Sequence, residues 1–336
     1  GWEESIGTSL TESVMSINNL GLHILVDVQG WGKGHVLSLF HARPAPIQVS
    51  FKNFVGTLGA LETIPWIITD RVTSPVEYQD AYSERFVFLP RTFYATGHHN
   101  FAPYNMPLDY IPSMTSRSEP ELTKLKEEEI QLPNQGFVFG AFSNLRKVQN
   151  KTLQTWIKIL RVTPNTHLWM IAEPPFGVTA LNESVVKAGI SADRVCFSER
   201  VRAVDHMRIK SSAGLYLDTI PFNGHSTVVE ALWAGIPALT VADTRMAGRV
   251  AASVLSAAQL ATTFVARNLE DYQRIASIFA SRRLDELGRI RIKLASTRKQ
   301  NPLFDTKRWV FEMEDAMRLA WDLHATGQPS MHLVGL

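Results

Sequence analysis

Residues 215–253 read LYLDTIPFNGHSTVVEALWAGIPALTVADTRMAGRVAAS, and this stretch decides the fold. The apolar run Leu215-Tyr216-Leu217 is long enough for a buried strand. Asp218, Pro221, Asn223 and Gly224 break that run and make a loop. A helix is expected from about Ser226, with Val229, Leu232 and Trp233 on one face. Gly235 stands where a helix ends in the left-handed conformation, and Pro237 forbids continuation. Ala238 to Val241 is the next strand, so the stretch is a βαβ unit.

Its chemistry lies at the junction of loop and helix. A helix start carries unpaired N–H groups and the positive end of the dipole, and so attracts phosphate. Gly224 lets backbone approach such a group closely. His225, Ser226 and Thr227 open the helix, and the two hydroxyls can cap it or donate to an anion. Glu230, about one turn in, can accept hydrogen bonds from a ribose diol. Ser226 also reads as an ordinary N-cap and Glu230 as a surface charge; these residues alone leave both readings open.

Outward from this unit, 336 residues leave room for two domains. A hydrophobic fraction of 45% and a charged fraction of 20% are those of a globular protein. A net charge of +2 gives no argument for nucleic acid or membrane as a partner. No apolar run approaches the ~20 residues that cross a bilayer. The single cysteine, Cys196, reads as a small core residue and excludes an internal disulfide. No Cys/His cluster has zinc spacing, and no Asp-x-Asp element offers a divalent-metal site, so no metal or other cofactor is expected.

Along the chain, Leu10, Val14, Ile17 and Leu20 have helical spacing, and Gly21 ends that helix. Strands are expected at 23–28, at 47–51 after Arg43-Pro44-Ala45-Pro46, at 67–70 and at 86–90, the last closing the first sheet. The turn Gly30-Trp31-Gly32-Lys33-Gly34 is either an anion cradle with Lys33 as its charge or a plain strand-to-helix loop. Residues 136–140 begin a second sheet, joined by strands at 167–171 and 194–197. A lysine just after the first strand of a lobe, Lys147, can meet a phosphate as a point charge or lie on the surface. Leu153, Trp156, Ile157 and Leu160 mark one helix, and further helices are expected at 247–260, 269–280, 284–295 and 309–323.

Several of these motifs, in order, resemble the catalytic region of the O-linked N-acetylglucosamine (O-GlcNAc) transferases. They are Leu217-Asp218-Thr219, Asn223-Gly224-His225-Ser226-Thr227, Leu232-Trp233-Ala234-Gly235 and Arg249-Val250-Ala251-Ala252-Ser253, with Arg43-Pro44-Ala45-Pro46 upstream. Ser226 stands for the family's first Thr, and Glu230 for a frequent Asp. The resemblance implies an α/β GT-B fold of two Rossmann-like lobes. It implies donor contacts at Asn144, Lys147, Val201, Arg202, Ala203, His206, Arg208, His225, Ser226, Thr227 and Glu230, with Lys33 a weaker candidate. Of these, Lys147 would stabilise the leaving phosphate. Asn144 replaces a family Gln, His206 keeps a base-stacking His, and Val201-Arg202-Ala203 replaces Ala-Pro-Lys.

The implied reaction is inverting transfer of N-acetylglucosamine from UDP-GlcNAc to Ser or Thr hydroxyls of protein or peptide acceptors, in a cytoplasmic or nucleocytoplasmic setting. The family's first lobe begins before the strand at His23, so the N-terminal lobe is expected to be incomplete, and relatives carry helical repeats upstream. The expected division is a partial lobe at 1–110, a linker at 111–135, a donor lobe at 136–305, and a helix and tail at 306–336 crossing back to the first lobe. Two rival readings stand beside it: transfer of fucose from GDP-fucose on the same fold, and a non-catalytic UDP-sugar-binding fragment.

Overall fold

The structure, a computed structural model, describes residues 9–98, 113–115, 130–200 and 203–335, with backbone alone at 203–206. Most of the expected linker, Val201 and Arg202 lie outside the described residues. The chain divides into two compact units, one of 1–95 with 307–336 and one of 96–306.

The first unit is built on a parallel sheet of β1 (Ile24–Asp27), β2 (Ile47–Ser50), β3 (Trp66–Thr69), β4 (Arg85–Phe88) and β11 (Leu333–Val334), in that order. The helix Leu10–Asn19 starts in a capping box between Ser9 and Glu12, and Gly21 follows its end at φ +60°. The expectation that the strand at 86–90 closes this sheet is corrected. β11, from the far end of the chain, pairs with β4 through Leu333↔Val87 and Val334↔Phe88. A two-residue strand carries no periodicity from which it could be read. The Trp66 indole donates to the Met331 carbonyl, and the Phe86 N–H to His332 Nδ1, which pins this tail. The helix Thr306–Ala325 belongs to this unit for most of its length. Its buried Glu312 accepts from Arg91 and Arg308, both at 3.1 Å.

The second unit carries β5 (Phe137–Ala141), β6 (Thr166–Ile171), β7 (Val195–Ser198), β8 (Leu215–Leu217), β9 (Ala238–Val241) and β10 (Val265–Ala266). All pairings are parallel, in the order β10-β9-β8-β5-β6-β7. β5 and β8 are buried along their whole length, as strands covered on both faces must be. Helices at Asn150–Val162, Ser226–Trp233 and Leu269–Ser281 contribute Trp156, Trp233 and Tyr272 to the core, all fully buried. The helix Phe176–Lys187, hidden in sequence behind Pro174-Pro175, was not expected. The expected 247–260 helix is a short 3₁₀ turn at Met246–Gly248, then Val250–Ala257 and Ala261–Phe264. Gly235 takes φ +78° after Trp233, as expected of a helix stop.

From β5 the chain builds outward through β6 and β7, then returns to β8 on the other side and builds outward through β9 and β10. The order therefore reverses between β5 and β8. In open parallel sheets, ligands bind outside the carboxyl ends of the strands at such a reversal.

Candidate functional site

Two loops leave the sheet at this reversal, 142–147 after β5 and 218–225 after β8. The loop after β5 is short because Asn144 caps a 3₁₀ turn, its side chain accepting from the Arg146 N–H. That turn sends Lys147 across to the second loop. Its ammonium donates to the Asn223 carbonyl at 2.7 Å and lies 4.1 Å over the centre of the Phe222 ring. Burial pulls the Lys147 pKa down to about 8, against the opposing pull of Asp218.

Asp218 organises the second loop. It is fully buried; Oδ1 accepts from the N–H groups of Gly224 at 2.6 Å and Thr219 at 2.9 Å, and Oδ2 from the Thr240 hydroxyl at 2.7 Å. Burial raises its pKa to about 7, held from rising further by these hydrogen bonds and by Lys147. Gly224 has no room for a side chain. A Cβ there would sit 2.5 Å from Thr227 Oγ1, 2.7 Å from the Tyr216 hydroxyl and 3.1 Å from Asp218 Oδ1. Tyr216 links the first loop to the helix that follows the second, sharing hydrogen bonds with Ser143 at 2.9 Å and Thr227 at 3.1 Å.

The helix Ser226–Trp233 starts without a side-chain cap, and its N-cap residue is His225. The reading of Ser226 as an ordinary N-cap is thereby corrected. Ser226 is the first helical residue and exposed, so its hydroxyl and the first-turn amides stand at the mouth of the helix. The His225 ring stacks on Phe222 at 5.1 Å, and its Nε2 lies 3.2 Å from the Ala247 carbonyl. A carbonyl only accepts, so Nε2 carries the proton. Burial and the nearby Lys147 charge lower the His225 pKa to about 4, leaving a neutral ring at pH 7.

The structure thus brings Asn144, Lys147, His225, Ser226 and Thr227 to one reversal point. Glu230, one turn inside the helix, is not the free surface charge of the plainer reading. Its Oε2 accepts from the fully buried Lys210 at 2.7 Å. Arg208 is half-buried on the helix Ala203–Lys210. Ala203 and His206 lie on the same helix, where only backbone is described, and Val201 and Arg202 lie outside the described residues. Lys33 is exposed in the other unit. The N–H groups of Gln29 and Gly30 in its turn already donate to the Asp27 carboxylate. Sequence reasoning passed over Asp218, Tyr216 and Lys210 as site residues. An acid directly after a buried apolar strand was the one available signal. Lys210 gave none, since a lone lysine reads as surface. Among the described residues, no group of three or more His, Cys, Asp or Glu side chains is placed to hold a metal ion.

Comparison with known proteins bears on the family and the fold. The model of glycosyl transferase family 41 matches residues 8–127 and 113–313. A probable UDP-N-acetylglucosamine–peptide N-acetylglucosaminyltransferase of Arabidopsis thaliana is 33% identical over 316 residues, covering 94% of this chain and 31% of that protein. The Caenorhabditis elegans UDP-N-acetylglucosamine–peptide N-acetylglucosaminyltransferase is 27% identical over 406 residues, covering 93% of this chain and 35% of that protein. This chain therefore spans about a third of the length of these relatives. A solved structure of a Thermobaculum terrenum O-GlcNAc transferase mutant superposes with a TM-score of 0.79 at 28% identity, over 95% of this chain and 57% of that one. The two parallel α/β units are those of a GT-B fold, as expected from the sequence.

Proposed function

The chain belongs to glycosyl transferase family 41, and from that membership we propose that it moves N-acetylglucosamine from UDP-GlcNAc to Ser or Thr hydroxyls of proteins, with inversion at the anomeric carbon. The observation that carries this reading is the pairing of an uncapped helix start at Ser226 with the Lys147 ammonium held on the loop leading into it. Fixed N–H dipoles and a cation at one reversal point suit a pyrophosphate. They act most strongly when the sugar–phosphate bond breaks and charge collects on the departing UDP. The acceptor oxygen forms the new bond to the anomeric carbon as the phosphate oxygen leaves with the old bonding pair, and the hydroxyl proton passes to water or to the departing phosphate.

Lys147 serves this step only while protonated. With its pKa lowered to about 8 in the free protein, kcat/KM is expected to fall as pH rises through that value. His225 enters as a neutral ring. The positive charge offered to the pyrophosphate comes from Lys147 and backbone amides, so the reading needs no metal, and EDTA is expected to leave turnover unchanged. The relatives' names, which specify UDP-N-acetylglucosamine and peptide acceptors, support the choice of donor and acceptor.

The test is release of UDP and labelling of a Ser/Thr peptide panel with UDP-GlcNAc, set beside GDP-fucose. Transfer from UDP-GlcNAc alone is expected. Preference for GDP-fucose would replace the donor in this reading, and UDP binding with no transfer to any acceptor would reduce it to a binding role. Lys147→Ala is expected to lower turnover by ~10²-fold or more, the scale of one lost electrostatic donor.

A further inference from the structure

Lys210 is an odd residue to find in the core of the second unit. It is fully buried, at the end of the helix Ala203–Lys210. Its ammonium donates to Glu230 Oε2 at 2.7 Å and lies 5.2 Å from the centre of the Phe142 ring. A buried cation is costly unless it is paired, and Glu230 supplies the pairing. Burial pulls the Lys210 pKa down, and the Glu230 charge and hydrogen bond pull it back up. Glu230 itself keeps 21% of its side chain exposed, so one end of the pair faces outward and the other is sealed.

The direction of that open end follows from helix geometry. Side chains in a helix tilt towards its N-terminus, so Glu230 leans back over the turn begun by Ser226 and Thr227. Its carboxylate therefore stands beside the mouth assigned above to the pyrophosphate. A Glu on that face, left alone, has three rotatable bonds and an open path to water. The Lys210 contact removes that freedom and leaves Oε1 and the unused lone pairs of Oε2 as acceptors in a fixed place. A vicinal diol presents two O–H donors, the complement of such a carboxylate.

We propose that Lys210 is a positioning residue for donor recognition: through Glu230 it fixes the acceptor that reads the ribose hydroxyls, and so makes the site select ribonucleotides. This rests on the UDP-sugar reading above. Lys210 is sealed from solvent, so it acts through Glu230 and not by touching the nucleotide. A merely structural role would affect binding of every nucleotide alike. The positioning role affects only those that carry the diol.

The experiment is calorimetric binding of UDP and of 2′,3′-dideoxy-UDP to the 336-residue chain and its variants, with thermal unfolding of each. The wild-type chain is expected to prefer UDP by about tenfold or more, the scale of hydrogen bonds to a charged acceptor. Lys210→Met keeps the buried volume and removes the charge; its preference is expected to fall towards one while affinity for the dideoxy compound stays the same. Lys210→Gln, which still donates to Glu230, is expected to recover part or all of the preference, and Lys210→Leu stands in if the methionine variant does not fold. A Lys210→Met or Lys210→Leu protein that unfolds earlier yet keeps the full tenfold preference would overturn the proposal and leave the donor reading intact. A wild-type chain that binds UDP and dideoxy-UDP equally would do the same. A wild-type chain that binds neither would overturn the donor reading itself, and this proposal with it.

Discussion

The molecule contains the same local device twice, once in each unit. Asp27 ends β1 and Asp218 follows β8, and both are buried. Each carboxylate accepts backbone N–H groups from the glycine-containing turn after its strand: Gln29 and Gly30 in one case, Thr219 and Gly224 in the other. Each turn leads to a helix with no side-chain cap, Leu37–His41 and Ser226–Trp233. What differs is what the neighbouring strands deliver. Beside Asp218 stand Lys147 from the loop after β5, Thr240 from β9 and Tyr216 from β8. The one lysine within the Asp27 turn, Lys33, is exposed. An acid that ties down a turn is thus a general structural solution. It becomes part of a chemical site only where the sheet order brings a cation to it.

This contrast can be broken most directly at the two lysines. The ~10²-fold loss expected for Lys147→Ala should have no counterpart at Lys33→Ala, which is expected to keep UDP-GlcNAc turnover within about twofold. Equal losses at both positions would end the distinction.

Gly224 and Gly34 should also differ in their tolerance of a methyl group. Gly224→Ala places a Cβ against three polar atoms that are already hydrogen-bonded to one another and to the backbone. A cost of about 3 kcal/mol is expected in urea unfolding, with weakened UDP binding. Gly34→Ala meets nothing within 4 Å, and its φ of +80° alone should cost about 1 kcal/mol.

A smaller effect separates Asp218 from His225 by pH. Asp218 has a raised folded pKa of about 7, so the folded state holds its proton more tightly than the unfolded state, and this contribution to stability is lost as pH rises from about 4 to 7. His225 has a lowered folded pKa of about 4, so its contribution is gained as pH rises from about 4 to 6.5. Over pH 4.5 to 6.5 each changes stability by roughly 2 kcal/mol, in opposite directions, so the two largely cancel in the wild type, leaving the rise with pH that comes from His332, whose pKa burial and Arg85 also lower. In Asp218→Asn the falling contribution is removed, and stability in urea unfolding should climb by roughly 2 kcal/mol more than the wild type over the same interval. A variant with the same pH slope as the wild type would show that Asp218 does not titrate as its surroundings require.

Much of the second unit was legible before any coordinates. The run Leu215-Tyr216-Leu217, the loop residues after it, the apolar face of the helix and the stop at Gly235 each carry a local signal, and each appears where that signal placed it. The residues at the helix mouth were legible for the same reason, because chain direction alone sets which end of a helix presents amides. The pairings were not. Nothing in the spacing of Lys147 and Asn223, or of Lys210 and Glu230, indicates that they meet. β11 was hidden too, since two residues show no period and its partner lies far away in the chain.

By itself the sequence determined the alternation of strand and helix, the places where they break and the amide-rich start at Ser226. These depend on backbone preference and on side-chain period over a few residues. Only the tertiary structure decided which loops share the reversal between β5 and β8, that Asp218 is sealed at the centre of one of them, and that Glu230 is held by a buried lysine. Those outcomes depend on strand order and burial. Desolvation, which moves Lys147, Asp218 and His225 from their ordinary pKa values, exists only once the surrounding elements have packed.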